Sequence, residues 1–346
     1  MAIPRGFTQR MTLDFDGRIA NQVAWSMDGR YLAAGFDNVI VAWDSATGDL
    51  VGCSDVLPLR CFCIAWIGSG RIMSGSADKI LASWDVDDDG VRFVGKFSEH
   101  TDTINCVSIA PGAEAWATCG NDHTARVWWP HVNHVDVYED HTDEVNVVSW
   151  NHNGGMLASC SNDSSVVIRD VSKHEIVHVF DDSIATVNHV AWSPDGKTVV
   201  SGSDDSTIRF YDVESGERER ILHGGFSNVQ WVEYSPDGQF VAARTLDDSV
   251  RFWRTDTWDL VSVLREVTSL RMIPMLAFHP TEPLICTLGA HDRVIHVWEY
   301  DPAVLLSGEP FIGQLPELPP DMPYLDSTKL SMLLGMFPLG RRHRGS

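Results

Sequence analysis

One pattern of about 25 residues occurs seven times along this 346-residue chain. Its clearest copy, residues 187–212, reads VNHVAWSPDGKTVVSGSDDSTIRFYD. A position near the end of each copy holds an aromatic residue or arginine, at successive spacings of 41, 45, 40, 42, 42 and 45 residues: Trp43, Trp84, Trp129, Arg169, Tyr211, Trp253 and Trp298. A period of roughly 40–45 residues is typical of a four-stranded propeller blade. The repeat therefore predicts an all-β chain that forms a single seven-bladed β-propeller.

Each copy also has the local pattern of successive β-strands. Residues 187–192 alternate as an inner strand would, and Ser-Pro-Asp-Gly at 193–196 is a turn in which proline fixes φ and glycine accepts a positive φ. The last copy has no clear fourth strand, whereas the alternating run at residues 10–15 precedes the first copy without a partner. We expect this N-terminal strand to complete the last blade and close the ring.

These copies resemble the WD-repeat (WD40) family, and the resemblance extends from about Arg10 to Glu299. It implies a hydrogen-bonded structural set in each blade, made of a His, a Ser or Thr, an Asp and a Trp. The third blade carries the full set, whereas the fourth carries Arg169 where Trp is expected. The members in these two blades are His100, Thr118, Asp122 and Trp128 or Trp129, then His141, Ser159 and Asp163.

The resemblance also implies where a partner would bind. In the family, the residue just before the Asp of each blade lies on the face that carries the loops between blades. We predict that this face has an acidic half over blades three to five and an apolar half over the others, unless several apolar side chains fold back into the loops. The predicted binding residues are Phe36, Leu59, Asp102, Asn121, Asp143, Asn162, Asp204, Phe226, Leu246 and Met272.

The C-terminal residues do not repeat, so we predict a propeller over residues 1–300 and a tail over residues 301–346. The proline-rich stretch at 315–323 indicates an extended linker. Beyond it, apolar residues recur at the spacing of one helix face and predict a short amphipathic helix. This helix either packs against its own propeller or binds a partner through Leu330, Leu334 and Phe337.

The charge balance limits the classes of partner. With 26 Lys and Arg against 48 Asp and Glu, the formal net charge is −22, whereas proteins that bind nucleic acid present a basic face. No stretch is apolar enough to cross a bilayer, and the N-terminus has no signal-peptide pattern. The seven cysteines are not spaced as a disulfide framework or a zinc site. We expect a cytoplasmic protein that binds other proteins. We do not expect it to bind nucleic acid, a membrane or a cofactor.

No motif indicates a catalytic site, so we expect that the chain is not an enzyme. His131 and His134 are spaced as two metal ligands could be, but no third ligand is evident and we expect a solvated loop. The Asp, His and Ser combinations recur in blade after blade, which indicates a structural role. Amides also recur at the start of the inner strands, either for structure or for a small polar ligand at the channel mouth: Asn21, Asn105, Asn146 and Asn188.

Two functions are consistent with these patterns. The leading prediction is a non-catalytic scaffold or recognition subunit, present as one propeller within a hetero-complex and binding partners on its loop face. The alternative is a ligand-sensing propeller that binds a small molecule at the channel mouth and signals to an effector. Fold alone does not separate them, because propellers host many functions.

Overall fold

The computed structural model describes residues 3–18, 20–55, 57–223, 227–247, 249–265, 275–288 and 293–308. In these ranges the chain forms seven antiparallel four-stranded sheets, and the first strands of neighbouring sheets contact one another all the way round a ring. The sheets are the seven blades of one propeller. The predicted all-β, seven-bladed fold is confirmed.

Blades 1 to 3 each follow the chain from the inner strand to the outer strand, after β1 (Phe7–Leu13), which belongs to blade 7. Blade 1 contains β2 (Gln22–Trp25), β3 (Tyr31–Gly35), β4 (Ile40–Asp44) and β5 (Leu50–Cys53). Blade 2 contains β6 (Cys61–Ile67), β7 (Arg71–Ser76), β8 (Leu81–Asp87) and β9 (Gly90–Phe97). Blade 3 contains β10 (Ile104–Ile109), β11 (Trp116–Gly120), β12 (Ala125–Trp129) and β13 (His134–Tyr138), with a short 3-10 helix at Pro111–Ala113.

Blades 4 to 6 have the same order. Blade 4 contains β14 (Val145–Trp150), β15 (Met156–Ser161), β16 (Val166–Asp170) and β17 (Glu175–Phe180). Blade 5 contains β18 (Val187–Trp192), β19 (Thr198–Ser203), β20 (Thr207–Asp212) and β21 (Arg218–His223). Blade 6 contains β22 (Val229–Tyr234), β23 (Phe240–Thr245), β24 (Ser249–Arg254) and β25 (Leu260–Arg265). Blade 7 contains β26 (Leu276–Phe278), β27 (Leu284–Leu288), β28 (Ile295–Tyr300) and β1.

The N-terminal strand closes the ring. β1 pairs with β28 in antiparallel register, with Phe7 opposite Tyr300 and Leu13 opposite Ile295. Phe7 is buried, and its ring centroid lies 4.9 Å from that of Phe252 in blade 6. The predicted closure is confirmed, and its apolar contacts join the two ends of the repeat region.

The hydrophobic core lies between neighbouring blades, so small residues in the second strands determine how closely the blades approach. At Gly75 of β7, an added Cβ would lie 2.5 Å from Cγ2 of Ile104 and 2.6 Å from Sγ of Cys63. Contacts this short would force the blades apart. The small residues that the sequence shows in the second strands are therefore a packing requirement.

The inner strands of blades 2 to 6 share one irregularity. In blade 4, Val145 pairs with Ser161 but Val147 pairs with Cys160, so Asn146 lies at a β-bulge. The same shift occurs at the equivalent position in blades 2, 3, 5 and 6. A bulge re-aims a side chain, and here it directs the amide toward the next blade.

A short helix follows the last strand, at the start of the predicted tail. α1 (Pro302–Ser307) begins at Asp301, whose carboxylate accepts hydrogen bonds from two backbone N–H groups of the first turn. Leu305 is buried, and Nη1 of Arg254 in blade 6 donates to the carbonyl of Leu306 at 2.6 Å. The packed part of the chain therefore continues past residue 300, the predicted end of the propeller.

Candidate protein-interaction face

The loops between blades and the turns after the second strands meet on one side of the ring, which we call the loop face. Backbone hydrogen bonds join the turn after the second strand to the loop that enters the first strand. The N–H of Asn121 donates to the carbonyl of Thr103 at 2.9 Å, and the N–H of Asn162 donates to the carbonyl of Glu144 at 3.0 Å. The same bond joins Asp204 to Thr186 at 2.9 Å. The loop face therefore has a fixed backbone in blades 3 to 5.

The predicted acidic and amide residues of blades 3 to 5 lie on this face. Asp102 and Asp143 are exposed, whereas Asn121, Asn162 and Asp204 are half-buried. One carboxylate oxygen of Asp102 and of Asp143 accepts a hydrogen bond from the next backbone N–H, at 2.7 and 2.8 Å. In the described residues neither carboxylate has an ion pair, so both present negative charge to solvent.

Amides of the inner strands bond to the half-buried members of this set and join one blade to the next. Nδ2 of Asn105 donates to Oδ1 of Asn121 at 2.7 Å and to the carbonyl of Val145 in the following blade at 3.0 Å. Asn146 makes the equivalent bonds to Asn162 and to Val187, both at 2.9 Å. Because their donors are used between blades, these amides have a structural role.

In blade 5 the acceptor at the position of Asn121 and Asn162 is a carboxylate, Asp204. Nδ2 of Asn188 donates to Oδ1 of Asp204 at 2.7 Å and to the carbonyl of Val229 at 2.9 Å. Nε2 of Gln230 adds a third bond to the same Asp204 oxygen at 3.1 Å. In blade 1, Nδ2 of Asn21 donates to the carbonyl of Cys61 at 2.8 Å. All four predicted amides thus bond to the neighbouring blade.

Glu144 is a member of the acidic half that the sequence did not single out. Burial raises the pKa of its carboxyl, and the nearby negative charges of Asp143 and Asp102 raise it further, against the opposing effect of His123. Its Oε2 accepts one hydrogen bond, from Nδ2 of Asn162 at 3.2 Å. The equivalent positions in blades 3 and 5 hold Thr103 and Thr186, so the repeat pattern gave no signal for Glu144.

The apolar half differs from its prediction. Leu59 is 50% exposed and Leu246 is half-buried, but Phe36 is only 2% exposed. The Phe36 ring turns under the face and contacts Phe15 and Trp43, with centroid distances of 5.4 and 6.2 Å. Its prediction as a binding residue is therefore wrong, since no partner can reach the ring. Five predicted binding residues lie outside the described ones: Phe226, Met272, Leu330, Leu334 and Phe337.

An exposed apolar residue stands instead in the acidic half. Ile184, in the loop that leads into β18, is 88% exposed. It occupies the position of Thr101 and Thr142 in the two preceding blades, where the residue follows the blade histidine. The loop face of blades 3 to 5 is therefore acidic with one apolar side chain at its edge.

The predicted structural set of blade 3 is complete. Nδ1 of His100 lies 2.8 Å from Oδ2 of Asp122, and Nε2 lies 2.7 Å from Oγ1 of Thr118. The indole of Trp128 donates to the same Thr118 oxygen at 2.8 Å. Trp128, and not Trp129, is therefore the member equivalent to Trp84 in the repeat.

Blade 4 keeps three members of the set. Nδ1 of His141 lies 3.0 Å from Oδ2 of Asp163, and Nε2 lies 2.8 Å from Oγ of Ser159. Burial lowers the pKa of His141, although Asp163 opposes the shift. Arg169 occupies the Trp position and forms a largely buried ion pair with Asp140.

A second repeated interaction was missed from the sequence. In blades 3, 5 and 6, a buried arginine four residues after the blade Asp forms an ion pair with it: Arg126 with Asp122, Arg209 with Asp205, and Arg251 with Asp247. Burial acts to raise the pKa of Asp205, but hydrogen bonds from Arg209 and Thr207 outweigh it and lower the pKa to about 2. The spacing of the Asp and Arg is visible in the sequence and could have revealed these pairs.

Three polar or aromatic side chains form a cluster on the inner strands of blades 5 and 6. The rings of His189 and Trp231 have centroids 3.6 Å apart, and the indole of Trp231 lies 3.5 Å from Oε2 of Glu233. Burial lowers the pKa of His189 to about 3 and raises the pKa of Glu233 to about 8. At neutral pH the cluster therefore holds a neutral imidazole and a largely protonated carboxyl.

Comparison with known families connects this geometry to one kind of propeller. Residues 20–299 match the family model described as the IFT122 first beta-propeller, which is 280 of the 346 residues. The chain belongs to the IFT122 first β-propeller family. The match spans all seven blades except the N-terminal strand. No curated protein matches the chain.

Other sites proposed from the sequence can be located in this IFT122-type propeller. His134 is exposed, with Nε2 2.9 Å from Oδ1 of Asp136, and His131 is also exposed. Within the described ranges, no group of three or more His, Cys, Asp or Glu side chains could hold a metal ion. All seven cysteines are free thiols, and Cys53 is exposed while the other six are buried. No helix of the described part could span a membrane.

Proposed function

We propose that this IFT122-type propeller is a non-catalytic scaffold or recognition subunit that binds other proteins on its loop face. The observation that carries the proposal is the pair of exposed carboxylates at Asp102 and Asp143, at equivalent positions on adjacent blades. Neither side chain contributes to the blade sets or to the bonds between blades. Exposed side chains repeated on a rigid support are what a recognition surface requires.

The contrast with the other acidic residues supports this assignment. Asp122, Asp205 and Asp247 are each paired with an arginine of their own blade. In the described ranges, Asp102, Asp143 and Glu144 have no such cation. Their mutual repulsion would be relieved by a positively charged partner, so we propose that the acidic half receives basic side chains and that Ile184 and Leu59 supply apolar contacts.

We further propose that the chain catalyses no reaction. The histidines of blades 3 and 4 use both ring nitrogens in repeated structural bonds. The ligand-sensing alternative receives less support than the scaffold, because the amide donors of Asn105, Asn146 and Asn188 are used between blades. We place the protein in the cytoplasm, as one propeller of a hetero-complex without nucleic acid or cofactor.

Affinity purification of the tagged full chain from its native cell, followed by mass spectrometry, tests this function. The wild type should retain a stoichiometric protein companion, and the double variant Asp102→Asn/Asp143→Asn should lose most of it. Glu214→Gln/Glu217→Gln is the matched control, because it also removes two negative charges and both residues are exposed in the turn after β20 on the opposite side of the ring. Full retention by the double variant would contradict the acidic half as the binding surface, and a partner-free wild type would contradict the scaffold.

A further inference from the structure

A cleft of about 380 Å³ opens between blades 6 and 7 on the side of the ring opposite to the loop face. The turn after β22, the turn after β26 and the start of α1 form its walls. Its volume is within the range of small-ligand and side-chain sites. Four of its lining residues are prolines, whose fixed φ makes the walls stiff: Pro236, Pro280, Pro283 and Pro302. We call it the proline cleft.

An unpaired hydroxyl faces this cleft. Tyr300 lines it and is only 3% exposed, and among the described residues its hydroxyl has no hydrogen-bond partner. The ring is held in place by Phe240 and Phe278, with centroid distances of 6.1 and 5.9 Å. The hydroxyl is therefore available to a polar group that enters the cleft.

Two carboxylates give the proline cleft a negative charge. Oδ1 of Asp237 accepts hydrogen bonds from Oγ of Ser235 at 2.6 Å and from the N–H of Gln239 at 3.0 Å, which leaves Oδ2 available. Glu282 lines the cleft and is exposed. In the part of the chain that the structure describes, neither carboxylate has an ion pair. Burial and the charge of Asp237 both raise the pKa of Tyr300, so its hydroxyl stays protonated.

The other polar groups around the cleft are already engaged. Nε2 of His279 lies 3.1 Å from the carbonyl of Gly29, and Nδ1 accepts a hydrogen bond from the N–H of Glu282 at 2.9 Å. Both ring nitrogens of His279 are therefore engaged. Arg254, which contacts α1, is bound to Leu306 and to Asp256. The cleft therefore combines two free carboxylates, one free hydroxyl and stiff apolar walls.

We propose that the proline cleft binds the guanidinium group of an arginine side chain from a partner protein. A planar guanidinium has five N–H donors in a fixed fork, so it can bond to several acceptor oxygens of one site, which suits the carboxylates and the hydroxyl of this cleft better than a compact ammonium does. The methylene stem of the arginine lies along the proline rings. This site is separate from the loop face and does not depend on partner binding there.

Titration calorimetry of the full chain with the peptide acetyl-Gly-Arg-Gly-amide tests the site. Saturable binding is expected, and the same peptide with Gln in place of Arg should bind at least ~10-fold more weakly, because a hydrogen-bonded charge is lost. Tyr300→Phe should weaken the arginine peptide ~10-fold. This variant leaves the net charge unchanged, so its effect cannot come from general attraction to an acidic protein.

Glu282→Gln should also weaken binding, and it lies on the surface, where folding is little affected. Asp195→Asn is the control for charge, because Asp195 makes the same turn bonds in blade 5, from Ser193 at 2.6 Å and from the N–H of Lys197 at 3.1 Å, but does not line the cleft. It should bind like the wild type. Equal affinity for the Arg and Gln peptides, or full binding by both Tyr300→Phe and Glu282→Gln, would overturn the proposal and leave the loop-face function untouched.

Discussion

The guanidinium carbon of Arg169 lies 4.2 Å from the ring centroid of Tyr138. The same guanidinium donates to both carboxylate oxygens of Asp140, at 3.0 Å from Nε and 2.5 Å from Nη2. In blades 2 and 3 this position holds Trp84 and Trp128, which donate to the Ser or Thr of the set. Blade 4 thus replaces an indole with an ion pair that packs against an aromatic ring.

Removing this arginine should destabilise the propeller strongly. The side chains of Arg169 and Asp140 are only 10% and 15% exposed, so Arg169→Leu leaves a carboxylate without its cation and should lower the free energy of unfolding by about 3 kcal/mol. Urea unfolding measures the loss, and adding Asp140→Asn should recover part of it. Arg71→Leu removes an exposed pair with Asp85 and should cost less than about 1 kcal/mol. Equal losses in the two single variants would contradict the assignment.

The hydroxyl of Thr118 should stabilise blade 3 through two bonds at once. Thr118→Val keeps the shape but leaves the indole of Trp128 and Nε2 of His100 without their partner. We expect a loss of about 2 kcal/mol in the free energy of unfolding, measured by urea. Thr198→Val, at the start of β19, is the comparison, since no hydrogen bond of its hydroxyl is present in the described residues. It should change stability by less than about 0.5 kcal/mol.

Glu233 should make stability fall as the pH rises. Its pKa is about 8 in the folded state against 4.5 for the free side chain, so between these values the folded state binds more protons than the unfolded state. Each pH unit in this window should lower stability by up to about 1.4 kcal/mol. Glu233→Gln removes the effect, so the variant should gain stability relative to the wild type from pH 4.5 to pH 8.

The measurement is urea unfolding of both proteins at several pH values. His189 acts in the opposite direction, because its pKa is about 3 when folded and 6.5 when free, and its contribution rises with pH between those values. It is present in both proteins and cancels in their difference. A difference that stays constant from pH 4.5 to pH 8 would show that Glu233 is ionised in the folded state.

The contact between blades 2 and 3 should not tolerate a methyl group at Gly75. Gly75→Ala places a Cβ against Ile104 and Cys63, both in tightly packed strands, and should lower the free energy of unfolding by about 2 kcal/mol. Gly70→Ala is the matched control, since the nearest atom to its added Cβ is the carbonyl oxygen of Val86 at 3.7 Å. Thermal unfolding should separate the two variants clearly, and similar melting temperatures would contradict the packing argument.

The fold could be predicted because the same chemistry recurs seven times, so an error in one copy is corrected by the others. The assignment of a single residue could not be corrected by comparison with the other copies. Trp128 and Trp129 are adjacent, and only the bond from Trp128 to Thr118 shows which one faces the core. Phe36 occupies a family position on the loop face, yet its ring finds a buried site against Phe15, a contact with the segment before blade 1.

Sites made by several blades could not be predicted. Tyr300, Asp237 and Glu282 come from two blades, and nothing in any single copy marks them as neighbours. The acidic half of the loop face could be predicted because Asp102 and Asp143 recur at the blade period. Repetition thus reveals what the blades share, whereas the proline cleft depends on how two different copies meet.

The pairing of β1 with β28 also bears on how the chain folds as it is synthesised. Phe7 and Tyr300 face each other across the closing sheet, so β1 remains without its partner until β28, nearly 300 residues later in the chain, has been synthesised. During that interval β1 is an unpaired strand, and unpaired strand edges make folding intermediates prone to aggregation. Production of shortened chains should therefore fail abruptly once the last strand is removed.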